Sequence, residues 1–217
     1  MRCAVIFYHK NIDKIYRPEW IEQCVQSIKE QTHQEFDVFE VDYGGTGKKY
    51  CEGIGKNYGH FSIHEENHIG AMNFLINMAF KTPNPYDIVF NTNMDDVYHP
   101  LRFAKQLEAI KQGYQLVSSN FAYVNHKGDL LKSMNMVRCG SIGRNLNKNH
   151  NVIAHPNVAM HRSFWDDDLH YNNLLGYEDL DLWQRAFIRG KKFFIIDEFL
   201  MWYRLHEKQV TKKHKAR

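Results

Sequence analysis

The stretch Asp87-Ile88-Val89-Phe90-Asn91-Thr92-Asn93-Met94-Asp95-Asp96 decides how this chain is read. Residues 88–90 form the short apolar run of a buried strand. That strand runs straight into two adjacent carboxylates. Like charges repel, so a pair at the mouth of a strand calls for a counter-cation. Hard oxygens of this kind suit magnesium or manganese, ions that bridge protein carboxylates to a diphosphate. Asn and Asp also populate ordinary turns, and an isolated Asp-Asp would be read as one. It is not isolated: Tyr177-Glu178-Asp179-Leu180-Asp181-Leu182-Trp183 opens a helix far downstream with a second acidic cluster.

Strands and helices alternate around the first cluster. Residues 3–7 form a buried strand, and Pro18 starts a helix with Trp20, Ile21, Cys24, Val25 and Ile28 on one face. A second strand over 36–41 ends in Asp42-Tyr43-Gly44-Gly45-Thr46-Gly47, and 61–63 is a short third strand. Gly70 leads into a helix through Phe74, Leu75, Met78 and Ala79. After the strand at 88–90, Pro100 begins another helix, carrying Phe103, Leu107 and Ile110, which Gly113 ends. This rhythm predicts parallel strands with helical crossovers, an α/β sheet. Ligands of such sheets sit beyond the carboxyl ends of the strands, where Asp42 and Asp95 both fall. From Leu116 the pattern changes to short strands around a turn at 126–129, which predicts an antiparallel part. Residues 141–151 are polar and aperiodic and read as a mobile loop.

The bulk composition narrows the classes. At 217 residues, 43% hydrophobic and 24% charged, the chain fits one globular core. A net charge of +3, without basic residues interleaved with aromatics, argues against nucleic acid as a partner. The basic run from Lys212 to Arg217 reads as a solvated tail. Cys3, Cys24, Cys51 and Cys139 form no Cys-x-x-Cys pair and have no spacing typical of zinc, and reduced thiols in a cytoplasmic setting are expected. No window reaches membrane-spanning length, and peripheral membrane contact is the most that is expected.

Each chemical reading has a plainer competitor. The Asp42 loop lacks the dinucleotide and Walker glycine spacings and is by itself a turn. Glu178 and Asp179 suit the first turn of any helix through its dipole. Successive helical positions point about 100° apart, so only one of the two is expected to face a given site. Asp181 and Arg185 are spaced as a surface pair. Trp165, beside Asp166-Asp167-Asp168, either stacks on a sugar ring or fills the core. His155 and His206 are two of 13 histidines, most of which are structural or exposed in any protein.

Taken in order, these segments resemble the GT-A-fold glycosyltransferases of family 2, inverting enzymes that use nucleotide-sugar donors. The resemblance runs over almost the whole chain. Val5-Ile6 with Asn11 is similar to the family's first strand and following Asn, residues 36–46 to its strand ending in Asp-Asp-Gly-Ser, and Asn67 with Gly70 to its Asn-x-Gly segment. Residues 92–100 match Asp-x-Asp-Asp with its trailing Pro, 178–185 the Glu-Asp helix, and Tyr203-Arg204-Leu205-His206 the C-terminal Tyr-Arg-x-His. Three departures bear on nucleotide identity. Asn93 replaces the first Asp of Asp-x-Asp, Tyr43 replaces a base-reading Asp, and Tyr8-His9-Lys10 replaces Pro-Thr-Tyr.

The resemblance implies a single Rossmann-like domain over 1–217, with a mostly parallel sheet flanked by helices and a smaller antiparallel acceptor-side part. Residues 1–113 would form the nucleotide-sugar half and 114–217 the acceptor half. It implies sugar transfer from a nucleotide diphosphate, most simply a UDP-sugar, to a hydroxyl of a glycan, lipid-linked or protein-linked acceptor. Mn2+ or Mg2+ would be held by Asp95, Asp96 and His206, and Asp179 would be the general base. Tyr8, His9, Asp42, Tyr43, Asn93, Asp95, Glu178 and Trp165 would contact donor or acceptor. Two other classes remain beside it. A sugar nucleotidyltransferase would need a glycine-rich basic loop near the N-terminus, and 7–17 lacks the glycines. A non-catalytic nucleotide- or carbohydrate-binding module is suggested by Asn93 and Tyr43.

Overall fold

The computed structural model describes residues 1–207 and 209, so the basic run at 212–217 lies outside the described residues. Nine strands form one sheet in the order β3-β2-β1-β4-β8-β6-β9-β5, with β7 paired to β6. These are β1 (Cys3–His9), β2 (Asp37–Asp42), β3 (Tyr58–Ser62), β4 (Ile88–Asn91), β5 (Val97–Tyr98), β6 (Leu116–Val124), β7 (Leu130–Asn135), β8 (Ala159–His161) and β9 (Phe193–Arg204). β1 pairs in parallel with β2 and β4, and β2 with β3, as the strand–helix alternation predicts. β8 is antiparallel to both β4 and β6.

The helices are α1 (Pro18–Lys29), α2 (His68–Phe80), α3 (Arg102–Lys111), α4 (Ile142–Asn147) and α5 (Glu178–Ile188). Strand periodicity of two divides the apolar residues between the two faces of the sheet. Ala4 and Ile6 of β1 join one core with Met72, Leu75 and Ile76 of α2 and Leu182, Trp183 and Ala186 of α5. Cys3, Val5 and Phe7 join the other core with Ile21, Cys24 and Ile28 of α1 and Phe103, Leu107 and Ile110 of α3. Both faces of β1 are thus buried, which explains its unbroken apolar run.

Several boundaries differ from the sequence reading. α2 starts two residues before Gly70 because the Asn67 side chain accepts a hydrogen bond from Ile69 N at 3.0 Å and caps it. The segment read as a mobile loop contains α4: Ile142 and Leu146, one turn apart, are buried, a stripe too short to register as periodicity. β6 runs unbroken through Ser118, Ser119 and Asn120, all buried. It lies parallel to β9, so the region after Leu116 is mixed rather than wholly antiparallel.

Candidate active site

The strand ends sort the expected residues by face. Tyr8 and His9 are neighbours on β1 and point to opposite sides of the sheet. The Tyr8 hydroxyl donates to Asn93 Oδ1 at 2.6 Å and lies 3.4 Å from His155 Nδ1. His9 instead turns beneath the sheet, where its Nε2 bonds Glu40 Oε1 at 2.9 Å. Glu40 also accepts from Tyr50 N, Cys51 N and the Tyr58 hydroxyl. His9, expected as a nucleotide contact, is therefore a buried strut for the 43–57 loop.

Asp42 is corrected in the same way. Its carboxylate accepts from Gly44 N, Thr46 N, the Thr46 hydroxyl and Gly47 N, all within 2.9 Å, so its lone pairs shape the loop. Burial alone would raise its pKa, but these hydrogen bonds outweigh it and hold the carboxyl below its ordinary value. Gly45 in this loop has φ +68°, and a Cβ there would sit 2.2 Å from the His64 ring. Tyr43 is half-buried on the Tyr8 side, with Lys10 Nζ 5.6 Å from its ring centroid, and burial pushes its phenol up to about 12.

The β4–β5 link separates Asp95 from Asp96. Asp95 Oδ2 lies 3.0 Å from His206 Nε2, and its Oδ1, though buried, has no protein partner. The His206 ring is packed against Tyr16 and Trp20 at 5.5 and 5.0 Å between centroids, which fixes its direction. Asp96 is 1% exposed and its Oδ1 accepts from Arg204 N of β9 at 2.9 Å. Burial, then the adjacent Asp95 charge, pushes the Asp96 carboxyl well up. Among the described residues no three His, Cys, Asp or Glu side chains converge on one point. Of the ligand set expected from the sequence, Asp95 and His206 stand together and fit a divalent cation, whereas Asp96 gives Oδ1 to the β9 backbone and keeps a buried Oδ2 that, like Asp95 Oδ1, has no protein partner. Two protein ligands suit an ion completed by waters and substrate phosphates, since Mg2+ sites of this type take only one or two carboxylates.

The second acidic pair stands at the start of α5. Glu178 has both oxygens engaged, Oε1 by His68 Nε2 at 2.7 Å and Oε2 by Gly176 N at 2.6 Å. Burial would raise its pKa, but the His68 bond and charge prevail and lower it. Asp179 accepts from Leu180 N at 2.7 Å and from the amide of exposed Asn151 at 2.6 Å. Burial, then the Glu178 charge, raises its pKa from 3.8 to about 6. The two adjacent carboxylates thus accept two hydrogen bonds each but face different partners, Glu178 a side chain of α2 and Asp179 its own helix backbone and an exposed amide, in keeping with their angular separation on a helix.

Trp165 is core: it is 6% exposed, donates from Nε1 to Asn77 Oδ1 at 3.0 Å and packs against Tyr171, leaving no face for a sugar. Arg185 pairs with Asp181 as expected and also binds the carbonyls of Asp168 and His170, strapping that loop to α5. Sequence reasoning missed His68, Asn91, Asn151 and Tyr171 and set His155 aside. His155 is buried, with Nε2 3.0 Å from Asn91 Nδ2, and burial pushes its pKa down to about 4, so the ring is neutral. His68 is one of two residues between Asn67 and Gly70, where nothing in the pattern marks it. A small polar pocket of about 180 Å³ opens beside it, lined by Glu65, Asn67, Gly70, Asn73, Tyr171 and Asn173.

An α/β sheet of this order has the GT-A fold. The family model for glycosyl transferase family 2 matches residues 4–169, more than half of the chain, and the chain belongs to that family. It is 25% identical over 203 residues to the O-antigen biosynthesis glycosyltransferase WbnJ of Escherichia coli, covering 89% of this chain and 78% of the relative. An uncharacterized glycosyltransferase of Methanocaldococcus jannaschii is 24% identical, covering 86% of this chain and 66% of its own length. Among solved structures, S. aureus TarS in complex with UDP-GlcNAc superposes with a TM-score of 0.69 at 14% identity, over 98% of this chain and 61% of that one. A Pyrobaculum calidifontis mannosyltransferase in complex with GDP-Man and Mn2+ gives 0.64 at 12% identity, over 96% of this chain and 58% of that one. At such identities the structural likeness shows the fold. Among the described residues no helix is long and apolar enough to cross a membrane.

Proposed function

We propose that this glycosyltransferase moves a sugar from a nucleotide diphosphate to an acceptor hydroxyl by a single displacement with inversion, aided by Mn2+ or Mg2+. Residues 1–113 would hold the donor, and the part from 114 onward would bind the acceptor. The observation that supports this reading is that Tyr8 connects the two acidic segments, bonding Asn93 beside Asp95 and stacking on His68, which bonds Glu178. Tyr8 bonds Asn93, and burial followed by the charges around it, Glu178 and Asp95 among them, raises its phenol pKa. On this reading a donor-side cation site and an acceptor-side base would flank a common space.

Asp95 and His206 would hold the cation, whose positive charge would offset the charge growing on the leaving diphosphate. Asp179 would accept the acceptor's proton as the hydroxyl oxygen bonds the anomeric carbon and the bond to diphosphate breaks. A pKa near 6 keeps Asp179 largely ionised around neutral pH while leaving it a stronger base than an ordinary aspartate. Asn151, an exposed side chain, is the group an incoming hydroxyl would displace from Asp179 Oδ2. On the donor side Tyr43 offers a ring face and a phenol where an acidic base reader would stand. UDP is the first donor nucleotide to test, as in the TarS complexes, and GDP the second, as in the mannosyltransferase complex.

A thermal-shift screen of UDP, GDP and their sugars, with manganese or with chelator, tests the proposal. A ligand at a hundredfold excess over its Kd stabilises by about 2.7 kcal/mol. Stabilisation by one nucleotide class that chelator abolishes supports the reading. Equal stabilisation with chelator present removes the cation from the mechanism. A stabilising nucleotide sugar that is neither hydrolysed nor transferred would mark a binding module.

A further inference from the structure

Glu178 and Asp179 are adjacent carboxylates of similar chemistry, yet the structure treats them differently. Both oxygens of Glu178 are taken, and the decisive partner comes from a distant part of the chain. His68, the first residue of α2, reaches across to Glu178 Oε1 at 2.7 Å, with the two side chains only 15% and 13% exposed. The His68 ring also stacks loosely on Tyr8, 6.3 Å between centroids and 19° between planes. Asp179, by contrast, is tied only to its own helix backbone and to the exposed Asn151 amide. We infer that His68 is a positioning residue that decides which member of the acidic pair is left to accept the acceptor's proton. By clamping Glu178 to α2 it anchors the first turn of α5 and leaves Asp179 as the movable carboxylate. This inference rests on the reading of Asp179 as the base.

The clamp acts on charge as well as direction. The titratable groups around Glu178 are His68 from α2, His155 from the turn at 155–157, Tyr8 from β1, Tyr171 and Asp179 itself. Around Asp179 they are Glu178 and Tyr171, with Asn151 as a neutral donor. Without His68, the Glu178 carboxylate would lose its main compensating partner while remaining next to Asp179. Two like charges sharing a site hold a proton more tightly.

Carbon-13 NMR titration of the side-chain carboxyls tests this without needing the acceptor. The signal missing from Asp179→Asn assigns Asp179, whose midpoint is expected near 6 in the parent protein. His68→Phe should raise that midpoint by about half a unit or more. His68→Gln, which keeps an N–H donor, should move it less. Glu178→Gln should lower the midpoint and make His68→Phe silent in the double variant. A midpoint unmoved by His68→Phe overturns the inference. If that variant does not fold, an Asp179 midpoint unmoved by Glu178→Gln overturns it instead. The base reading fails separately, by normal turnover in Asp179→Asn.

Discussion

The two acidic pairs, Asp95-Asp96 on the donor side and Glu178-Asp179 on the acceptor side, are built alike. In each, one carboxylate is tied to a distant part of the scaffold: Asp96 through Oδ1 to Arg204 N of β9, Glu178 through both oxygens to His68 and Gly176 N. In each, the neighbour has no such tie: Asp95 meets only the His206 ring, although a buried oxygen without a partner is common to it and Asp96, and Asp179 is held by its own helix backbone and an exposed amide. Adjacent residues on a backbone cannot aim the same way, so a doubled acid provides one anchor and one reagent. The order differs, because the donor-side pair anchors with its second member and the acceptor-side pair with its first.

The sharpest way to break this comparison is to remove a reagent. Asp179→Asn is expected to lower kcat by about 100- to 10,000-fold, the range of general-base contributions. Donor and cation affinity should stay nearly unchanged, because the lost interaction belongs to the transition state. Activity in the parent protein should fall as pH drops through about 6, when Asp179 takes up a proton. Steady-state kinetics with a donor found by the thermal-shift screen checks both. An Asp179→Asn enzyme with normal turnover would make Asp179 an ordinary helix-start residue.

The donor-side reagent comes next. Asp95→Asn, or chelation of the parent protein, should weaken nucleotide-diphosphate binding by about 10- to 100-fold, the scale on which altered metal sites respond. Titration calorimetry with and without manganese measures it. Chelator should have little further effect on Asp95→Asn, since the two perturbations act on one site.

The parallel half of the fold was legible because β1 and β4 are buried on both faces and leave continuous apolar runs, while Asp95 falls where such a strand must end. What escaped has physical reasons. β8 has three residues, and α4 carries only Ile142 and Leu146 as a buried stripe. Direction at strand ends was the other blind spot. Composition marks Tyr8, His9 and Asp42 equally, but the pleat sends His9 to Glu40, and the loop closes on Asp42. His68 and His155 were hidden because their partners, Glu178 and Asn91, are brought to them only by the fold.

Removing the donor-side anchor should affect stability before chemistry. Asp96→Ala leaves the buried Arg204 N without its acceptor, a loss of about 1–3 kcal/mol. Its effect on nucleotide affinity should be smaller than that of Asp95→Asn. Denaturant melts and calorimetry on the two variants separate the roles. Asp96→Ala that binds as poorly as Asp95→Asn while melting normally would restore Asp96 as a cation ligand.

The smallest effect lies in the acceptor-side anchor, and its sign distinguishes the two neighbours. The Glu178 carboxyl is held below its ordinary value in the folded protein, so its charged form contributes stability above about 4.5 that is lost as pH falls through the folded value. Glu178→Gln should therefore cost about 1 kcal/mol around neutral pH, the scale of one net hydrogen bond, and progressively less in acid. Asp179 behaves oppositely. Its folded pKa is raised from 3.8 to about 6, so its contribution to stability falls as pH climbs between those values. Asp179→Asn should thus melt no earlier than the parent protein above that window, and gain relative to it as pH rises. Melting both variants across the acid range is the test. Parallel pH trends would mean that anchor and reagent are not distinguished by the fold, and the comparison between the two pairs would fail at its acceptor-side member.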